Sequence, residues 1–434
     1  MNRREIDRRL WALTLPTFAT LISEPLMVLA DTAFVGHLGT PALAGLGIGG
    51  SALGLLLGLS VFLAYGTTSR VGRLLGAGDR PGALAAGVDG IVLGAGLGLV
   101  LAVALSLASP FVPGWYGATG PVADAASAYL RIVAFSLPGA LGVLAATGVL
   151  RGLQDTRTPL VVAVSANVLN VALNATLIFV AGLGIAGAAL GTTLAQTAAG
   201  VVLAATVVRT ARAAGAPRRV RPAAVLAAAA SGGWLVIRSA ALQVTMLLST
   251  AVATRLGAAQ LAAHQVTNAL WSFLCYVLDA IAIACQALIG NRLGAGEVEE
   301  TRAITRRSLG WGVAFGLGVA ALLALARPLL IGVFTPDPDV RGPLLGSVLV
   351  LAAMVPLGAI VFVLDGVLIG AGDARYLAFA NSLATACFVP LALLVRPGPD
   401  GLTWLWVAYS GYLLARMLTL VVRARGDAWL RTGA

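Results

Sequence analysis

Apolar runs of about 20 residues, the length a helix needs to cross the hydrocarbon core of a bilayer, follow one another along the whole chain. Glycine, proline and short charged clusters break them. The breaks place about twelve spans, at roughly 10–35, 43–70, 84–108, 122–150, 158–181, 184–208, 224–254, 261–291, 304–330, 342–369, 376–396 and 402–423. Only 11% of the residues are charged, and mean hydropathy is +0.93, so most of the chain cannot face water. The expected fold is an all-α integral membrane protein.

The net charge of +11 does not point to nucleic acid. The arginines sit in short connections, where they set membrane orientation. Alternate connections carry Arg3, Arg4, Arg8 and Arg9, then Arg70, Arg73 and Arg80, and later Arg292, Arg302, Arg306 and Arg307. The opposite connections hold only Arg255, Arg327, Arg341 and Arg396. Both termini are therefore expected in the cytoplasm, with an even number of spans between them. The longest basic connection, 209–223, reads as a cytoplasmic linker between a bundle at 1–208 and one at 224–434.

The two halves repeat each other. Leu75-Gly76-Ala77-Gly78-Asp79 returns as Leu293-Gly294-Ala295-Gly296-Glu297, an offset of 218 residues. The same offset maps Leu38-Gly39 onto Leu256-Gly257, Pro138 onto Pro356, and Gly148-Val149-Leu150 onto Gly366-Val367-Leu368. With about six spans in each half, the repeats run in parallel around an axis along the membrane normal, a plan suited to alternating access. The glycine-rich segments lack any phosphate-loop pattern and read as helix caps whose acidic residue opens the next helix.

Polar groups inside the spans are costly, which marks them as candidate functional residues. Glu24 and Asp31 lie two turns apart on the first span, with Pro25 between them as a hinge. Asn167, Asn170 and Asn174 line one face of the fifth span, and Thr192 and Gln196 on the sixth could extend it. Ion pairing of the first-span acids with Arg131 or Arg238 is the structural alternative. The second half offers Gln265, Asp279 and Asp365, the last standing where its repeat has Thr147. His264 reads as a packing residue, and Arg131, Arg238 and Arg416 as counter-charges. Cys275, Cys285 and Cys387 fall in apolar runs without metal-binding spacing. With two histidines and no HExxH, a membrane metalloenzyme is not supported, and no cofactor or metal site is expected.

These residues resemble the multidrug and toxic-compound extrusion (MATE) family, DinF-like branch. The resemblance is carried by the first-span segment from Glu24 to Gly39, by Leu150-Arg151-Gly152 with Asp155-Thr156-Arg157-Thr158-Pro159, and by Gly187-Ala188-Ala189-Leu190-Gly191-Thr192. In the second half it is carried by Leu261-Ala262-Ala263-His264-Gln265, Tyr276-Val277-Leu278-Asp279 and Leu364-Asp365-Gly366. It implies two pseudo-symmetric six-helix bundles around a V-shaped cavity in a bacterial-type inner (plasma) membrane. It further implies a chain that acts as a monomer and exports amphipathic, often cationic small molecules in exchange for H⁺ or Na⁺. The family's first-span aspartate corresponds to Asp31, and its polar positions to Asn170 and Thr192, near which Na⁺ could also bind. Many DinF-like members carry an aspartate where this chain has Asn174, which shifts the coupling role onto Asp31, helped by Glu24. A lipid-linked glycan flippase of related architecture is the alternative reading, and it would need arginines lining the cavity.

Overall fold

A computed structural model describes residues 2–216, 222–335 and 337–433. All regular structure among the described residues is helical. In the first half the helices are α1 (Arg3–Gly36), α2 (Thr40–Ser60), α3 (Phe62–Gly76), α4 (Arg80–Ala108), the single turn α5 (Val112–Trp115), α6 (Gly120–Val133), α7 (Leu137–Gly152), α8 (Arg157–Asn174) and α9 (Gly184–Ala213). The second half holds α10 (Pro222–Leu256), α11 (Ala258–Gly294), α12 (Val298–Phe334), α13 (Pro338–Gly370), α14 (Ala374–Leu393) and α15 (Gly401–Arg425). Among the described residues, 12 helical stretches are long and apolar enough to cross a membrane, one for each expected span.

Helix ends are set by local caps and extend past the ends that hydropathy marks. Asn2 opens α1 by accepting the Glu5 N–H at 2.8 Å, so the helix starts several residues before the apolar run. Asp79 does the same for α4 through the Gly82 N–H. Three interruptions were not legible in the sequence. The second span is divided at Val61. In the fourth, one 3₁₀ turn at Ala134–Ser136 separates α6 from α7, where Pro138 has no N–H to offer the Ala134 carbonyl. The fifth ends in a π-turn at Ala175–Val180, directly after Asn174.

The internal repeat extends to backbone geometry. Gly39 and Gly257 open α2 and α11 at φ 102° and 114°, a region that L side chains avoid. Gly78 and Gly296 take φ 83° and 80° in the two glycine-rich segments. The N–H groups of Asp79 and Glu297 then reach back to the carbonyls of Leu74 and Arg292 at 3.0 and 2.9 Å. These are helix-terminating caps, as the spacing implied.

The chain divides into two compact units. One comprises Leu15–Gly232 with Gly433; the other comprises Gly233–Thr432 with the first turns of α1 up to Thr14. The division falls inside α10, which is continuous from Pro222, so the basic connection is shorter than 209–223 suggested. Residues 217–221 of that linker lie outside the described residues.

Each unit has its own interior. In the N-terminal unit, Tyr129 packs with Val35, Leu46, Val133, Ile178, Ala188 and Ala189. In the C-terminal unit the interior is aromatic. Trp271 meets Tyr409 and Phe362 edge-on and donates its indole N–H to the Tyr409 hydroxyl at 3.2 Å. Close helix approach there depends on Gly366, where a Cβ would stand 2.2 Å from the Ala282 carbonyl oxygen.

Candidate functional site

In the N-terminal unit, α1, α8 and α9 bring four polar side chains into one buried ring. Asn174 donates its amide to Asp31 Oδ1 at 2.6 Å and to Asn170 Oδ1 at 3.3 Å. Asn170 donates to Thr192 Oγ1 at 3.3 Å, and the Thr192 hydroxyl donates to Asp31 Oδ2 at 3.1 Å. The ring therefore closes on the carboxylate from both sides. Asn170 and Asn174 are wholly buried, and Asp31 and Thr192 nearly so. The spacing of the two asparagines on α8 supplies one wall, and the closely packed α9 supplies the hydroxyl.

The partners of Asp31 decide its chemistry. Its oxygens meet one amide and one hydroxyl, both neutral, and no ion pair to it forms among the described residues. Neutral donors offset only part of the cost of burying a carboxylate. Such a group either takes up a proton or holds a cation. The structural alternative, an ion pair of the first-span acids with Arg131, is not among the ion pairs of the described residues, and Arg131 is exposed.

Two details of the ring were not visible in the sequence. The Asn174 carbonyl oxygen is buried with no hydrogen-bond partner among the described residues, and it fills the space over Gly191, where a Cβ would come within 2.1 Å of it. Tyr129 on α6 packs against Ala188 and Ala189 of α9, one turn before Thr192. A tyrosine amid an apolar run gave no signal that singled it out.

The remaining candidates lie apart from the ring. Asn167 donates to the Ser23 carbonyl of α1 at 2.6 Å and ties the two helices together. Glu24 is exposed and makes no hydrogen bond to the ring, Gln196 is half-buried, and Gln265 is exposed. Pro25 lies inside α1, which is helical through it. Asp279 is half-buried on α11.

Asp365, a candidate of the second half, is engaged by two arginines. Its Oδ2 accepts from Arg238 at 2.7 Å and from Arg416, all three side chains being buried. Two guanidiniums already meet this carboxylate, which leaves no need for a further cation. Among the described residues, no group of three or more His, Cys, Asp or Glu side chains could hold a metal ion.

Comparisons with known proteins agree in family. The chain is 33% identical over 433 residues to Protein DETOXIFICATION 44, chloroplastic, of Arabidopsis thaliana, covering 97% of this chain and 82% of that protein. It is 29% identical over 426 residues to DNA damage-inducible protein F of Escherichia coli (strain K12), covering 95% and 91% of the two. The fold matches that of the Vibrio cholerae MATE transporter VcmN in the bent form with a TM-score of 0.87, over 98% of this chain and 99% of that one, at 22% identity. A family model, MatE, matches residues 16–176 and again 234–394, once in each half of the repeat. The chain belongs to the MatE family: it is an integral membrane transporter of the multidrug and toxic-compound extrusion class, and not an enzyme.

Proposed function

We propose that the protein is a proton-coupled antiporter that exports amphipathic, often cationic compounds, with Asp31 as the group that carries the coupling proton. The observation that carries this reading is the ring itself: a buried carboxylate met only by neutral donors. The ring can take up a proton without rearranging heavy atoms. An ionised carboxylate only accepts hydrogen bonds; a protonated one must donate one. Asn174 presents N–H groups to Oδ1 and cannot accept there. Thr192 can reverse, since its hydroxyl oxygen accepts from a proton on Oδ2 while its own hydrogen turns away. Protonation thus changes both the charge and the direction of one bond between α1 and α9.

That change biases α1 between two packings, with Pro25 as the weak point of its hydrogen-bond ladder. Substrate leaves as the proton enters. The arginine asymmetry supports a plasma membrane orientation with both termini in the cytoplasm, and one chain suffices as the transport unit.

The test is uptake of a fluorescent organic cation into proteoliposomes under an imposed pH gradient or an imposed Na⁺ gradient. Transport driven by the pH gradient and lost in Asp31→Asn supports the proposal. Transport driven by Na⁺ alone replaces the proton by a sodium ion among the ring oxygens. Normal coupled transport by Asp31→Asn overturns the role of Asp31.

A further inference from the structure

The repeat that pairs Gly78 with Gly296 also pairs the parts of the Asp31 ring with residues of the C-terminal unit. Asp31 and Ser249 differ by the same 218 positions, as do Ala188 and Trp406, Gly191 and Tyr409, and Asn170 and Phe388. The second half therefore has no acid at that position, and aromatic rings stand where the ring helices carry small or amide side chains. Ser249, Trp406 and Tyr409 meet around a small cavity, whose wall also includes Met246, His264 and Asn268.

Three polar atoms in that wall have no hydrogen-bond partner among the described residues: Ser249 Oγ, His264 Nδ1 and Trp406 Nε1. Their side chains are buried, with 6%, 3% and 3% exposure. They come from three helices, α10, α11 and α15. Leaving three such buried groups unpaired is costly. The indole of Trp406 lies 5.8 Å from the imidazole of His264, centroid to centroid. The cavity offers about 10 Å³ to a water-sized sphere, close to the space that one water molecule needs.

We propose that this cavity is the uncharged counterpart of the Asp31 site and that its ligand is a single water molecule. No carboxylate, arginine or lysine lines it, so it offers no counter-charge to an ion. The donor and acceptor roles fit water. Trp406 N–H can only donate, and it gives its hydrogen to the water oxygen. The two water hydrogens then go to His264 Nδ1 and Ser249 Oγ. That fixes His264 as the neutral ring with its proton on Nε2, and it joins α10, α11 and α15 through one bridging molecule. Duplication has thus left one half with an ionisable site and the other with a hydrated clasp.

The chain has 2 histidines, His37 and His264, so ¹⁵N-histidine labelling of the full-length protein in lipid vesicles yields two rings to assign. His37→Gln identifies the signals of His264. The expected result is an unprotonated Nδ1 on His264 that receives magnetisation from water protons. That transfer should be lost in the Ser249→Ala, Trp406→Phe double variant. The melting-temperature loss of the double variant should also fall short of the sum of the two single losses, because either change already weakens the same water. A His264 Nδ1 that carries the proton, or receives nothing from water in the unsubstituted protein, overturns the proposal. Melting losses that simply add overturn it too.

Discussion

Asn174 holds Asp31 with one end of its amide and covers Gly191 with the other: its nitrogen lies 2.6 Å from Asp31 Oδ1, while its carbonyl oxygen is buried where an alanine Cβ would need to stand. The residue is thus a donor to the carboxylate rather than a gap left by a missing acid. Replacing it by alanine removes a hydrogen bond to a charged group, worth about 1.5–3 kcal/mol. Asn174→Ala is expected to lower the melting temperature and to slow pH-driven transport in proteoliposomes. Asn174→Asp, which can share a proton with Asp31, is expected to retain pH-driven transport in the same assay.

Gly191 fixes the position of that amide from α9. In Gly191→Ala the added methyl would sit 2.1 Å from the Asn174 carbonyl oxygen, so the amide must turn away from Asp31. The expected cost is about 1–3 kcal/mol, with a transport defect resembling that of Asn174→Ala. The two changes act on one contact, so the Asn174→Ala, Gly191→Ala double variant should be less impaired than the sum of the singles. Additive losses of stability and transport rate would show that Gly191 acts through some other contact.

How far the sequence disclosed this site depends on the range of each interaction. Asp31, Asn170, Asn174 and Thr192 stood out because polar groups inside apolar spans are expensive wherever they point. Helix spacing alone put Asn170 and Asn174 on one face. Glu24 satisfied the same criterion and is exposed, because a two-turn spacing fixes a shared face but not what packs against it. The partners of Asp365 were hidden for a related reason. Its two arginines come from positions 127 and 51 residues away, and no local pattern announces that they converge on one oxygen. The twelve spans and their caps were legible because hydropathy and glycine placement act within a few residues. The break at Val61 has no proline or charge beside it to mark it, only Ser60, whose hydroxyl bonds back to the Leu56 carbonyl.

The proposed orientation gives a labelling pattern. In a cysteine-free background, a cysteine placed at Thr119, between α5 and α6, should react with a membrane-impermeant thiol reagent added to intact cells. One placed at Asp79, between α3 and α4, should react only after the cells are opened. The reverse pattern would place the arginine-rich connections outside and overturn the cytoplasmic assignment of both termini.

The Arg238–Asp365–Arg416 cluster should behave as a structural element, separable from coupling. Asp365→Asn leaves two buried guanidiniums without a counter-charge at that oxygen, and removing one partner from such a pair costs about 3–5 kcal/mol. The expected result is a large fall in the yield of folded protein and in its melting temperature. Charge itself is not the requirement, only its balance. Replacing all three side chains together by apolar ones of similar volume, as Arg238→Met, Asp365→Leu, Arg416→Met, should therefore recover much of the stability that Asp365→Asn loses. The recovered protein should still transport under a pH gradient, because its proton-carrying group lies in the other unit. A triple variant that is well folded but uncoupled would return Asp365 to the transport mechanism, and the coupling ion would then have to be sought in both halves of the repeat.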